Sequence, residues 1–152
     1  MREILFKAKR IDNGKWVEGY LFDNGFDGKE KKYFIGGLII EKYNGTACDE
    51  WVITGIDFCE IDPETLCQFT GLYDKNGDKI WENDIFQYTD EAMVIQKDLI
   101  EYNETHASFV RLHNAEKLGL QYLWIDEATC NHGEVIGNIF DNPELLQEES
   151  DE

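Results

Sequence analysis

Short apolar stretches broken by tight-turn residues constrain this chain more than any other feature. Asp12-Asn13-Gly14-Lys15 and Asp74-Lys75-Asn76-Gly77-Asp78-Lys79 each set an Asn-Gly pair between two segments of strand character. Asn and Gly accept the positive φ angles of tight hairpins, so each pair predicts a chain reversal, the first of them a type I′ turn. Residues 2–10 before the first turn place Ile4, Phe6 and Ala8 on one side. Residues 16–22 return as the second strand.

Further strands are predicted over residues 33–40, 51–58, 66–70, 80–88, 107–112, 121–125 and 133–140. Gly36-Gly37 inside the third segment implies either a bulge or a close backbone approach. Asp62-Pro63-Glu64 has the form of a helix cap followed by proline at the first helical position, and is read as a single turn. Asn142-Pro143-Glu144-Leu145-Leu146 opens a short closing helix with Asn142 as its cap. Residues 91–103 fit a strand or a short helix equally, because periodicity does not decide over so few residues. Eight or nine short strands with frequent turns indicate a mainly β protein, a barrel or a sandwich.

The chain has 152 residues, enough for one domain with a real core. Its 14 bases face 32 acids, a net charge of −18. Grasping nucleic-acid phosphates would need the opposite sign, so direct binding of DNA or RNA is not expected. The charge is uneven. Residues 1–50 carry nine bases and nine acids, while residues 51–152 carry five bases and 23 acids. The end, residues 147–152, has four acids and nothing to bury, and is expected to fray. No apolar run approaches the ~18 residues of a membrane span and no secretory leader is evident, so a cytoplasmic location is expected. Cys48, Cys59, Cys67 and Cys130 lack Cys-x-x-Cys spacing and read as reduced thiols, several of them buried.

Three segments together carry a family resemblance. They are Met1-Arg2-Glu3-Ile4-Leu5-Phe6-Lys7-Ala8, the stretch Gln68-Phe69-Thr70-Gly71-Leu72-Tyr73 running through the second Asn-Gly turn to Trp81-Glu82-Asn83-Asp84-Ile85, and Val135-Ile136-Gly137-Asn138-Ile139-Phe140-Asp141-Asn142-Pro143. In this order they resemble the YopX family of phage and prophage proteins. That resemblance implies a mainly β fold of coiled antiparallel sheets containing an SH3-like barrel, with short helical turns. It implies no established molecular function. Domain organisation is read as one domain over residues 1–146, with a 1–50 region packed on a 51–146 barrel. The structural signature is Gly71, Leu72, Asp74, Asn76, Gly77, Trp81, Asp84, Gly137, Asn138 and Pro143. One departure is visible: Asn83 stands where the family usually has glycine, and asparagine tolerates the same left-handed backbone.

Sites of chemistry are sparse. Asp74-x-Asn76-x-Asp78 matches the first ligands of a calcium loop, but Lys79 replaces the required glycine and Ile85 the required glutamate. Cys130, His132, His106 and His113 could ligate zinc, yet the close pairs typical of such sites are missing. His132-Gly133-Glu134 begins a deaminase signature that nothing completes. No nucleophile elbow, phosphate loop or dinucleotide motif occurs. The chain is therefore expected to be non-enzymatic, without catalytic residues, metal or cofactor, and to act by binding a protein or by self-association. Trp16, Trp51, Trp81 and Trp124 are core or contact candidates. The alternative is an acidic decoy that imitates DNA toward a host DNA-binding or restriction protein. Whichever holds, self-repulsion among carboxylates predicts a melting temperature that rises with moderate salt. A flat response would mean that the acids are locally paired.

Overall fold

The computed structural model describes residues 3–42, 50–115 and 119–146. Its contacts divide the chain into two units, one over Ile4–Leu66 and the other beginning at Cys67. The acidic end at residues 147–152 and Cys48 lie outside the described residues.

The first unit is an antiparallel meander. Strands β1 (Phe6–Lys9), β2 (Trp16–Asp23), β3 (Tyr33–Lys42) and β4 (Trp51–Glu60) lie in the order β4-β3-β2-β1. The β4 strand pairs with β3 along its whole length, from Phe34↔Glu60 to Lys42↔Trp51. It therefore belongs with the N-terminal strands, and the unit boundary falls after Leu66 rather than after residue 50. The first Asn-Gly pair turns the chain, but not as type I′. Only Gly14 has positive φ, at 67°, while Arg10 N–H donates to Lys15 O and Gly14 N–H to Arg10 O. Four loop residues spread the reversal, so Asn13 stays out of the left-handed region and its side chain accepts from Lys15 N–H.

Gly36 is a close approach. A Cβ there would lie 2.0 Å from Asp57 O and 2.6 Å from Phe58 Cβ. The bulge lies nearby instead, where Ile39 opposes Gly55 but Ile40 opposes Ile53 and Thr54 is the extra residue. The core of this unit is Ala8, Ile35 and Ile61, with Phe6, Val17, Leu21, Tyr33, Cys59 and Leu66 packed against it. Pro63–Thr65 is one 3-10 turn as expected. Asp62 caps it by accepting from Glu64 N–H, and Thr65 Oγ accepts from Lys9 N–H.

The second unit holds the hairpin β5 (Cys67–Tyr73) and β6 (Lys79–Trp81), then a five-stranded antiparallel sheet. That sheet is formed by β7 (Asp84–Thr89), β8 (Ile95–Asn103), β9 (Ser108–Ala115), β10 (Gly119–Trp124) and β11 (Gly133–Asn138), in the order β10-β9-β8-β7-β11. The ambiguous segment at 91–103 is thus a strand from Ile95, preceded by a turn that Asp90 ties down through Ala92 and Val94 N–H. Residues 80–88 form two strands, not one. Asn83, at φ 67°, turns the chain between them and does what glycine would do there.

No closed barrel forms, so the SH3-like detail is not seen. Among the described residues β10 pairs only with β9 and β11 only with β7, which leaves the five-stranded sheet open at both ends. Ile80, Phe86, Ile100 and Cys130 form the core, with Leu72, Tyr88, Ile125 and Val135 against them. One helical turn escapes the sequence reading: α1 (Glu127–Cys130), capped by Asp126, which accepts from Thr129 N–H. Pro143–Leu146 closes as a 3-10 turn, with Leu145 N–H donating to the Asn142 backbone carbonyl.

Candidate functional site

The sequence of β3, Tyr33-Phe34-Ile35-Gly36-Gly37-Leu38-Ile39-Ile40, is a continuous apolar run. Such a run is the mark of a strand covered on both faces; a sheet with one wet face alternates instead. The chain covers one of the two, and that one only around Ile35, since Ile39 on the same face is 46% exposed. Ile35 is fully buried in the core, whereas its neighbours on the other face stand open. Register places Tyr20, Gly36 and Phe58 side by side on that face, with Leu38 opposite Ile56 in the next row. Phe22 opposes Phe34, which meets Phe58 edge to face at 5.5 Å. Tyr20 and Phe58 are each 56% exposed and Ile56 is 60% exposed.

The bulge at Thr54 extends this face. Without it, residues 53 and 56 would point to opposite sides; with it, Ile53 pairs with Ile40 and shares the side of Leu38 and Ile56. Trp51, opposite Lys42, continues the row and is 62% exposed. Among the described residues, the charged groups on these rows are at the margins: Glu18 with Lys7 opposite it, Lys42 and Glu60. Glu60 is held by Lys32 at 3.1 Å.

A hollow of about 470 Å³ is lined by Arg10, Asp57 and Cys59 together with Tyr20, Leu38 and Phe58. Two of its polar groups, Arg10 and Cys59, are already engaged. Arg10 grips Asp12 through two bonds of 2.9 and 2.6 Å, and this raises its pKa further. Burial pushes the Cys59 thiol up, and its Sγ lies 3.7 Å from Ile35 O.

The signature residues of the sequence gather in the second unit, where they serve turns. Asp74 is nearly buried. Its Oδ1 accepts from Asn76 and Asp78 N–H, and its Oδ2 from Val135 N–H. Gly77 completes the turn at φ 85°, and Asn76 Nδ2 donates to Glu134. Gly71 takes φ 89° inside β5, and Leu72 then reaches the core. Trp81 is buried against Phe69 at 5.4 Å, and its backbone N–H donates to Oδ2 of buried Asp84. The Asn142 side chain fills the space beside Gly137, where a Cβ would lie 2.5 Å from its Oδ1. Asn138 Oδ1 accepts from Phe140 and Asp141 N–H, and Pro143 starts the closing turn.

The Asp74 carboxylate is therefore spent on backbone donors, not offered to a cation. We expect Asp74→Ala to cost about 2–3 kcal/mol in urea unfolding, since hydrogen bonds to a charged group are lost and donors are stranded. A change below ~0.5 kcal/mol would show that the turn holds itself.

Sequence reading missed a polar cluster. Asp98 is fully buried in β8. Arg111 donates to its Oδ2 at 2.9 Å and His113 Nδ1 meets its Oδ1 at 2.6 Å. The Arg111 guanidinium lies 4.9 Å from the Tyr88 ring centre, and its Nε donates to Trp124 O. The only signal was an acid in β8 two residues before Ile100 on the same side of the strand. The four tryptophans divide: Trp81 is core, Trp16 half-buried, and Trp51 and Trp124 exposed, so the expectation of a core role fails for two of them. Cys67 and Cys130 are buried, and burial pushes the Cys130 thiol up to about 11. Among the described residues no helix is long and apolar enough to cross a membrane.

Comparison with known proteins agrees with this architecture. No curated protein matches the chain. A crystal structure of protein EF1440 from Enterococcus faecalis is similar, with a TM-score of 0.58 and 25% identity over 97% of this chain and all of that one. The model of the YopX protein family matches residues 6–147, nearly the whole length, and on that match the chain belongs to the YopX family.

Proposed function

We propose that this YopX-family chain is a non-catalytic binding protein that takes a protein partner on the open face of β2, β3 and β4. The observation that carries the reading is the mismatch in β3: a sequence apolar on both sides, in a sheet that covers one. Exposed apolar patches on soluble monomers rarely exceed a few hundred Å², and larger ones mark contact sites. Tyr20, Phe58 and Trp51 supply the aromatic anchors that dominate interface energetics. The acids outside this face keep the chain dispersed in water while the face stays free.

The test is capture from a bacterial lysate by immobilised chain, compared with Phe58→Lys. Both chains should melt together, and the lysine variant should lose the captured protein. Equal capture by the two would remove the face from the account. Washing at rising salt separates this reading from an acidic decoy, whose capture would collapse as charge is screened.

A further inference from the structure

We propose that the partner on this face is a second copy of the chain, the two sheets packing face to face about a two-fold axis. This rests on the binding reading above and names its occupant. Three observations point to a copy rather than to an unrelated protein.

The first is area. Eight large apolar side chains on these rows are each 44–62% exposed. At about 100 Å² apiece they offer roughly 800 Å², the share each partner gives to a standard stable interface. The second is shape. A twisted sheet is best covered by another sheet of the same twist, with strands aligned within about 30° and the layers about 10 Å apart. An identical sheet supplies that twist, and self-complementary two-fold contacts are the commonest way copies associate.

The third is charge. Two chains of −18 repel, so copies meet where repulsion is least. Residues 4–66 carry eight bases and 12 acids, against five and 19 for residues 67–152. The face sits in the first of these segments, with its charged groups only at the margin. The consequence is a sign: salt screens the repulsion and strengthens the contact, whereas it would weaken the grip of a basic partner.

Sedimentation velocity on the full chain, from sub-micromolar to about 100 µM and at low and moderate salt, is the test. The expected result is a monomer–dimer equilibrium that salt tightens and that Phe58→Lys weakens at least tenfold. If Phe58→Lys fails to melt like the parent, Tyr20→Lys takes its place. A parent that stays monomeric at every concentration and salt overturns the second copy. If lysate capture then still depends on Phe58, the binding reading survives with a different partner. A dimer indifferent to both lysines would overturn the face as its seat.

Discussion

Asp98→Ala is expected to destabilise the protein by about 3–5 kcal/mol, the cost of breaking a buried ion pair from one side. Asp98 is wholly buried, and both carboxylate oxygens are engaged, one by Arg111 and one by His113. Alanine removes the only carboxylate that Arg111 meets among the described residues, yet the guanidinium stays fixed by Tyr88 and the Trp124 carbonyl. A held, unpaired cation is worse than a missing pair. Exchanging all three for apolar residues of similar volume should therefore cost far less than Asp98→Ala alone. Asp98→Asn should fall between, since an amide keeps one acceptor and turns its NH₂ toward a donor. Urea unfolding of the three variants checks the order. An alanine cost near 1 kcal/mol would mean that water reaches Arg111.

Phe86→Ala is the second large expectation, at about 3–5 kcal/mol, because a fully buried ring leaves a cavity that β-sheet neighbours cannot close. Its surroundings also allow a sharper test. A Cβ on Gly133 would fall 2.3 Å from the Phe86 ring and 2.6 Å from Gln87 O. Gly133→Ala alone is thus overpacked against both, by about 1–3 kcal/mol or more. In the double variant the ring clash is gone, so the combined cost should be smaller than the two single costs added, by at least ~1 kcal/mol. The carbonyl clash persists, so the relief is partial. Strict additivity would mean that Gly133 is constrained by the backbone of β7 alone.

How much of this was legible beforehand depended on whether the signal was local. Chain reversals at Gly14 and Gly77, the Asp62 cap and the left-handed Asn83 were all readable because each is fixed within a few residues. The type I′ detail failed, since hydrogen-bond closure over four loop residues placed the positive φ on Gly14 alone. The SH3-like detail is not confirmed, for a longer-range reason: closure depends on the outer edges of β10 and β11, and nothing in their own sequences says what lies beside them. The strand at 95–103 was undecidable alone and is settled by register with β7 and β9.

The open face shows the same limit from the other side. The apolar run in β3 was visible in the sequence and calls for cover on both faces, but the run does not say which face the chain itself covers. Only register shows that Ile35 meets the core while Leu38 and Phe58 meet solvent. The bulge at Thr54, which brings Ile53 to the side of Ile56, could not be read from a strand whose partner was unknown.

Hydroxyl-radical labelling of the dilute and the concentrated chain tests the central claim most directly. Tyr20, Trp51 and Phe58 report the open face, and Trp124 and Tyr122, equally exposed on the other unit, serve as internal controls. The account predicts that labelling of the first three falls several-fold with concentration while the two controls are unchanged. Constant labelling at Tyr20 and Phe58, or protection confined to Trp124 and Tyr122, would contradict it.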